Sequence, residues 1–273
     1  MYGEYTLTNQ VDRSSKPITF LSMGAGVQTT DMLIRYYEQY DFCVFADVSK
    51  ETNFDEKAKT YWYIEKFLKP FCEEKGVQWV TVYPKKSLFQ HSIDENIIPT
   101  RDFRWCTDRF KKEPIYKWSK GMGATPKEPF IEHIGFSFDE YWRAGVMNPP
   151  QYLKCEYPLV DEKITREMCK KNIINTFGVL PPKSGCVYCP HASKNELRQT
   201  AYEEPEKVEK IVMMEKNNRR YPEITFKSRQ EQIRGKKITV PIPIEVILNQ
   251  DVSSLDSFIV DDSQGCESGH CFV

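Results

Sequence analysis

Two cysteines separated by two residues, Cys186-Val187-Tyr188-Cys189, and followed by Pro190, have the spacing that lets neighbouring thiolates hold one metal ion or one inorganic cluster. The spacing does not separate zinc from iron–sulfur. A thioredoxin-like redox pair would need its own strand-to-helix setting, whereas this pair follows the turn at Pro181-Pro182. Either metal chemistry asks for about four ligands, and the chain has nine cysteines. Among the rest, Cys169 is preferred to Cys155 as a further ligand, because its helical stretch, Arg166 to Phe177, leads directly into the Cys186 turn. Cys43 lies in an apolar strand and Cys72 on a helix, the setting of packing residues. Cys266 and Cys271, with His270, end the chain, and could hold their own metal, complete a cluster or form a resolving disulfide. His91, His133 and His191 read as structural, with only His191, next to the cysteine pair, a candidate for the site.

The second candidate is Ser22-Met23-Gly24-Ala25-Gly26-Val27-Gln28-Thr29-Thr30. It joins the β-prone run Ile18 to Ser22 to a stretch with apolar residues at helical spacing, Thr29 to Tyr37. A glycine turn between strand and helix lets backbone N–H groups approach a phosphate. The Walker ending is missing, since no lysine occurs between Lys16 and Lys50, and the dinucleotide fingerprint fails after Gly26. Composition alone leaves a phosphate cradle and a tight packing turn as alternatives. A third candidate is the basic run Arg101, Arg104, Arg109, Lys111 and Lys112 around Cys106, suited to an anionic substrate beside a thiol or to a solvated helix face.

The elements that must position these groups alternate. Strands are predicted at 18–22, 42–46, 79–83 and 131–136, and helices over 29–37 and 54–74, the latter stopped by Gly76. This builds a parallel α/β sheet. Asp47 ends the second strand, where ligands of open α/β sheets sit, and is preferred there as a ligand contact over a cap of the next helix, whereas Glu51 reads equally as either. Asp139, Glu140 and Arg143 follow the 131–136 strand and are preferred as substrate contacts over a local ion pair. Beyond Asn148 prolines interrupt short helices and long sheet elements are not expected. The division is therefore an α/β core over 1–148 and a helical, cysteine-bearing part over 149–273 packed on it. With 38 basic against 39 acidic residues and no long apolar run, the composition excludes a disordered, fibrous or membrane-spanning chain, and a cytoplasmic location is expected.

The glycine loop resembles the pyrophosphate loop of the adenine nucleotide α-hydrolase superfamily, in the branch related to phosphoadenosine phosphosulfate (PAPS) reductases. The resemblance continues in order through Phe45-Ala46-Asp47 with Glu51, Arg104-Trp105-Cys106-Thr107 with Phe110-Lys111, Gly135 to Glu140 with Arg143, Tyr157-Pro158-Leu159 and Pro182 to Pro190. The loop is longer than the usual Ser-Gly-Gly-x-Asp-Ser form, and Gln28 stands where an acid often precedes the hydroxyl residue. The resemblance implies a HUP-type parallel-sheet core. It implies that Ser22, Gly24, Gly26, Gln28, Thr29 and Thr30 cradle phosphates and that Asp47 faces ribose or adenine. Arg104, Lys111, Asp139, Glu140 and Arg143 would meet the substrate, and Cys106 would be the third metal ligand beside Cys186, Cys189 and Cys169, unless three cysteines leave one iron open. In PAPS reductases a C-terminal thiolate is the nucleophile, which makes Cys271 and Cys266 the catalytic candidates, although the tail motif differs.

The expectation is an enzyme with a [4Fe-4S] cluster, zinc being the alternative. It would use ATP, with Mg²⁺, to adenylate an acceptor that then takes up sulfur, or it would reduce a sulfonucleotide to sulfite. The ATP version is preferred because the tail departs from the reductase motif. A non-catalytic nucleotide- or RNA-binding module with structural zinc is the reading from another class, favoured by Gln28, the 101–112 segment and Arg219-Arg220. Partners left open are a sulfur donor or thiol-reductant protein and a nucleic acid substrate; no membrane is expected.

Overall fold

A computed structural model describes residues 16–49, 55–101, 104–145, 148–233 and 236–248. Its centre is a five-stranded parallel sheet made of β1 (Thr19–Met23), β2 (Phe42–Ala46), β3 (Gln78–Val82), β4 (Phe130–Ile134) and β5 (Leu153–Glu156), in the order β3-β2-β1-β4-β5. The chain winds outward from β1 in one direction through β2 and β3, then returns to the other side of β1 with β4. That reversal opens a crevice at the carboxyl ends of β1 and β4, the usual ligand position in such sheets.

β1 and β2 are buried along their whole length, so they read as continuous apolar runs rather than alternating ones. Successive side chains still divide between two cores. Leu21, Met23, Cys43 and Phe45 pack with α1 (Val27–Tyr36), with α2 (58–75, which contains a π turn at Ile64–Leu68) and with α6 (Arg166–Phe177). Phe20, Phe42 and Val44 pack on the opposite face against Ile115 and Trp118 of α4 (105–121). The Trp118 ring meets Phe20 and Phe42 edge-on at 5.2 and 5.3 Å.

A third cluster forms beyond the sheet. It joins Leu88 of α3 (Leu88–Glu95) and Trp105 and Phe110 of α4 to Val187 and Tyr188, to α7 (Lys194–Glu203), to α8 (Pro205–Lys216) and to α9 (Ile244–Leu248). The short α5 (Pro158–Asp161) leads from β5 to α6.

Two features differ from the sequence expectation. The core continues past residue 148, because β5 pairs with β4 and α6 covers α1. An antiparallel ribbon, β6 (Lys227–Ile233) with β7 (Lys236–Ile242), forms where prolines suggested only turns. Pro241 is tolerated because it lies in a two-stranded ribbon, opposite Ser228, where each strand has a free edge. Among the described residues no helix is long and apolar enough to cross a membrane.

Candidate functional site

The turn after β1 puts its strain on an unexpected residue. Ala25, not a neighbouring glycine, takes the left-handed conformation, at φ 53°. Gly26 is the N-cap of α1, and no side chain caps the helix. The first-turn amides of α1 are thus left for a ligand or solvent, the situation that favours an anion at a helix start. Thr29 braces the turn, its hydroxyl accepting from the Gly24 N–H at 3.3 Å and donating to the Gly26 carbonyl at 3.4 Å. The Thr30 hydroxyl is fully buried and has no hydrogen-bond partner.

Gly135, just after β4, lies against this turn. A Cβ there would stand 2.6 Å from Thr29 Cγ2 and 3.2 Å from the Thr29 nitrogen. Gly135→Ala is therefore expected to cost about 1–2 kcal/mol by overpacking. It should also weaken nucleotide binding, because the atom that must yield belongs to the brace of the turn. Thermal melting alongside nucleotide titration checks this; unchanged affinity with lowered stability would remove the link to the loop.

Ser22 and Gly24 line a narrow cleft with Met23, Phe45, Ala46, Glu56, Lys111, Ile115 and Gly185. An adjoining small recess is lined by Arg104, Cys106, Thr107, Lys111, Gly185, Cys186, Cys189 and His191, among others. Lys111 and Gly185 belong to both. The loop expected to hold phosphates and three of the four cysteines expected to hold metal therefore meet at one wall. Part of the reason is local. At 3.6 residues per turn Cys106 and Lys111 would point roughly 140° apart, but the π turn Asp108–Lys112 widens α4 and brings both to the recess.

Burial pushes the Cys106 thiol above its ordinary pKa, as does the nearby Cys189, while Lys111 and Arg104 oppose the shift. Burial likewise raises Cys186, with the Glu56 and Cys189 charges adding to it. The Glu56 carboxyl is raised to about 7 by burial, against the pull of Lys111, and its Oε1 has no hydrogen-bond partner. As placed, no three His, Cys, Asp or Glu side chains among the described residues converge on a single ion position.

Cys169 does not join this group. It is fully buried between α6 and α1, in the cluster that covers the sheet, beside Asp31, Arg35 and Arg166, and its thiol is raised by burial and by Asp31. Cys169 is near Cys186 along the chain but not in space, because the residues after α6 cross to another cluster. Cys155, the other candidate, lies on β5 with its thiol 3.7 Å from Glu132 Oε2, pushed up to about 12 by burial and that carboxylate. Cys43 and Cys72 are core residues. Cys266 and Cys271, with His270, and Glu51 lie outside the described residues.

The cysteine loop is held from several sides. The backbone of 55–57 pairs with that of 185–187: Lys57 N–H donates to the Gly185 carbonyl at 3.4 Å, Val187 N–H to the Asp55 carbonyl at 3.0 Å, and Glu56 bridges Cys186. Tyr188 donates its hydroxyl to Asp55 Oδ1 at 2.7 Å. Lys207 donates to the Glu56 carbonyl at 2.7 Å. Lys227 donates to the carbonyls of Pro190, at 2.6 Å, and Ala192, and burial pulls its ammonium down to about 8. Glu196 completes a capping box with Ser193 and also accepts from Lys57 and Lys183 at 3.0 and 2.9 Å. Of these residues, Ser193-Lys194-Asn195-Glu196 carry a signal legible in the sequence, a helix-start pattern.

Several expected ligand contacts are engaged elsewhere. Asp47 accepts from the Ser49 N–H and hydroxyl at 2.9 and 2.6 Å and from the Tyr61 hydroxyl at 2.8 Å, so it organises the turn after β2. Gln28 donates to Glu140 at 3.1 Å and accepts from Arg166 at 2.8 Å. Glu140 also accepts from Arg143, whose guanidinium lies 3.9 Å over the Phe136 ring, and Asp139 caps α6 by accepting the Arg166 N–H. Gln28, Asp139, Glu140 and Arg143 are thus a tie between α1, the segment after β4 and α6, and none of them lines the cleft. His133 bonds Tyr40 and Glu156, each at 3.3 Å, as a buried structural histidine.

No family model matches the chain. A search of curated proteins finds no match either. Among solved structures the chain is similar to the U34-tRNA thiolase NcsA from Methanococcus maripaludis with its [4Fe-4S] cluster, at 16% identity, over 77% of this chain and 73% of that one, with a TM-score of 0.44.

Proposed function

We propose that the chain binds an adenine nucleotide in the cleft beside β1 and an iron–sulfur cluster on Cys106, Cys186 and Cys189, and that it activates an acceptor with ATP before sulfur is delivered to it. The observation that carries this reading is the shared wall: Lys111 and Gly185 line both spaces. The donor set fits the group, with three thiols around one recess, Lys111 opposing the rise of the Cys106 and Cys186 thiols and Arg104 that of Cys106. When bound, the cluster supplies an iron site that can hold an inorganic sulfur nucleophile.

The chain's own residues do the rest. The α1 amides and Lys111 neutralise phosphate charge. An acceptor oxygen attacks the α-phosphorus and its bond to the bridging oxygen breaks, releasing pyrophosphate. A sulfur nucleophile then displaces that oxygen together with the adenylyl group, which leaves as AMP. Phe45, Ala46, Met23 and Ile115 give the cleft an apolar wall suited to a base.

Product analysis of the anaerobically purified protein with ATP tests the reading: AMP and pyrophosphate in equal amounts are expected. Lys111→Met should lower that rate about a hundredfold, the scale of losing one fixed positive donor at developing phosphate charge. Sulfite released from a sulfonucleotide would favour the reductase chemistry instead. A colourless protein with stoichiometric zinc and no turnover would defeat both.

A further inference from the structure

Two basic segments that lie far apart in the sequence meet away from the cysteine recess. Asn217 donates its side-chain amide to the Ile93 carbonyl at 2.8 Å, and the Arg220 N–H donates to the Asn96 carbonyl at 3.2 Å, fixing the stretch after α8 against the end of α3. Two open cavities lie here. One, of about 360 Å³, is lined by Tyr83, Lys85, Lys86, His91, Arg109 and Lys117 together with Glu95 and Glu113. The other, of about 420 Å³, is lined by Thr100, Trp105, Arg109, Arg220 and Tyr221 among others, and among the described residues none of its lining is acidic. Arg109 belongs to both, so they form one path.

The charges along this path are of two kinds. Lys86 is bound to Asp94 and Lys117 to Glu113. No carboxylate among the described residues pairs with Lys85, Arg109 or Arg220. The Arg109 guanidinium donates to His91 Nε2 at 3.0 Å, which makes that ring nitrogen an acceptor and leaves the fork's other N–H groups to face the cavities. Tyr221 is 45% exposed beside Arg220, an accessible ring face next to a guanidinium. Each cavity exceeds what a single small anion fills. Repeated unpaired cations with an exposed aromatic ring are the chemistry of a nucleic-acid strand, where phosphates meet the cations and a base stacks on the ring. α4 separates the two regions, presenting Cys106 and Lys111 to the recess and Arg109 to the path.

We propose that this path, running over Lys85, Arg109, Arg220 and Tyr221, binds a single-stranded stretch of nucleic acid and so names the acceptor class. Its role as acceptor rests on the sulfur-transfer reading above, whereas the binding itself does not.

The test is fluorescence anisotropy of the full-length protein with labelled 20-nucleotide single-stranded RNA and DNA over 50–300 mM salt. Binding that weakens steeply with salt is expected. The combined variant Lys85→Ala, Arg109→Ala, Arg220→Ala should bind at least tenfold more weakly, with the salt slope reduced by about 2, at roughly 0.7 per lost phosphate contact. Tyr221→Ala should bind roughly tenfold more weakly with the slope unchanged, as stacking loss predicts. The single change Lys85→Glu, at an exposed side chain, carries the test if the triple variant does not fold by circular dichroism. No binding at 50 mM salt, or equal binding by wild type and folded variants, overturns the proposal. So does a blunt duplex that binds as tightly as the single strands and is indifferent to Tyr221→Ala. Strand binding without AMP formation defeats the earlier reading and leaves this one standing; AMP formation without strand binding does the reverse.

Discussion

Replacing Cys186 with serine is expected to abolish cluster binding, leaving less than a tenth of the iron and acid-labile sulfide that the wild-type chain takes up on anaerobic reconstitution. Cys106→Ser and Cys189→Ser should do the same. The reason is the shared recess: these three thiols line one space, and a hydroxyl is a poor ligand for a soft metal centre. Cys169→Ser and Cys155→Ser are the informative controls. Their thiols lie in other parts of the molecule, one buried between α1 and α6 and the other on β5 beside Glu132. Both variants should keep the full metal content. Iron, sulfide and zinc counting on all five variants decides the matter. A Cys169→Ser protein that lost its iron, or a Cys186→Ser protein that kept it, would overturn the ligand assignment.

The second large effect is expected at Glu196. This carboxylate is 5% exposed and accepts from the Ser193 N–H at 2.8 Å and from Lys57 and Lys183. It therefore links the helix that follows the cysteine loop to segments on either side of that loop. Glu196→Ala removes the shared acceptor and leaves two ammonium groups facing each other, at a cost of about 3 kcal/mol, which lowers the melting temperature by roughly 6–10 °C in a chain of this size.

The pH dependence has a definite sign. Although burial alone would raise the group, Lys57, the Ser193 N–H and Lys183 outweigh it and bring it down from 4.5 to about 2. A depressed folded-state pKa means that the contribution is complete above the unfolded value and fades as pH falls from about 5 toward 2. The stability gap between wild type and Glu196→Ala should therefore be widest at neutral pH and narrow progressively below pH 4.5. Melting curves at pH 7, 4 and 3 measure it. A gap independent of pH would mean that the carboxylate's charge is not what holds the loop.

Much of this site was legible before any tertiary structure. The strand–turn–helix around Ser22 to Thr30 follows from a β-prone run giving way to helical spacing, and both are local properties of the chain. The C-x-x-C spacing of Cys186 and Cys189 is local too. Other residues were legible by type but not by partner. Gln28, Asp139, Glu140 and Arg143 have ligand-binding chemistry, yet they satisfy one another and Arg166 across α1 and α6. Asp47 is at a strand end, as expected, with its oxygens already bonded to Ser49 and Tyr61. A polar side chain in a sequence carries no mark of whether its hydrogen bonds are spent inside the protein or left for a ligand.

Taken alone, the sequence determined the parallel α/β core, the position of the glycine turn and the thiol pair most suited to metal, because hydrophobic periodicity and short spacings are set by neighbours in the chain. Only the tertiary structure decided that Cys106 stands with that pair and Cys169 does not, that Lys111 and Gly185 face both the cleft beside β1 and the cysteine recess, and that Arg109 and Arg220 line one cavity. The placement of Cys106 and Lys111 depends on a π turn in α4, and that of Gly185 and Cys186 on backbone pairing between residues 55–57 and 185–187. That pairing joins segments more than a hundred residues apart, and whether it forms depends on the packing of the whole chain rather than on either segment.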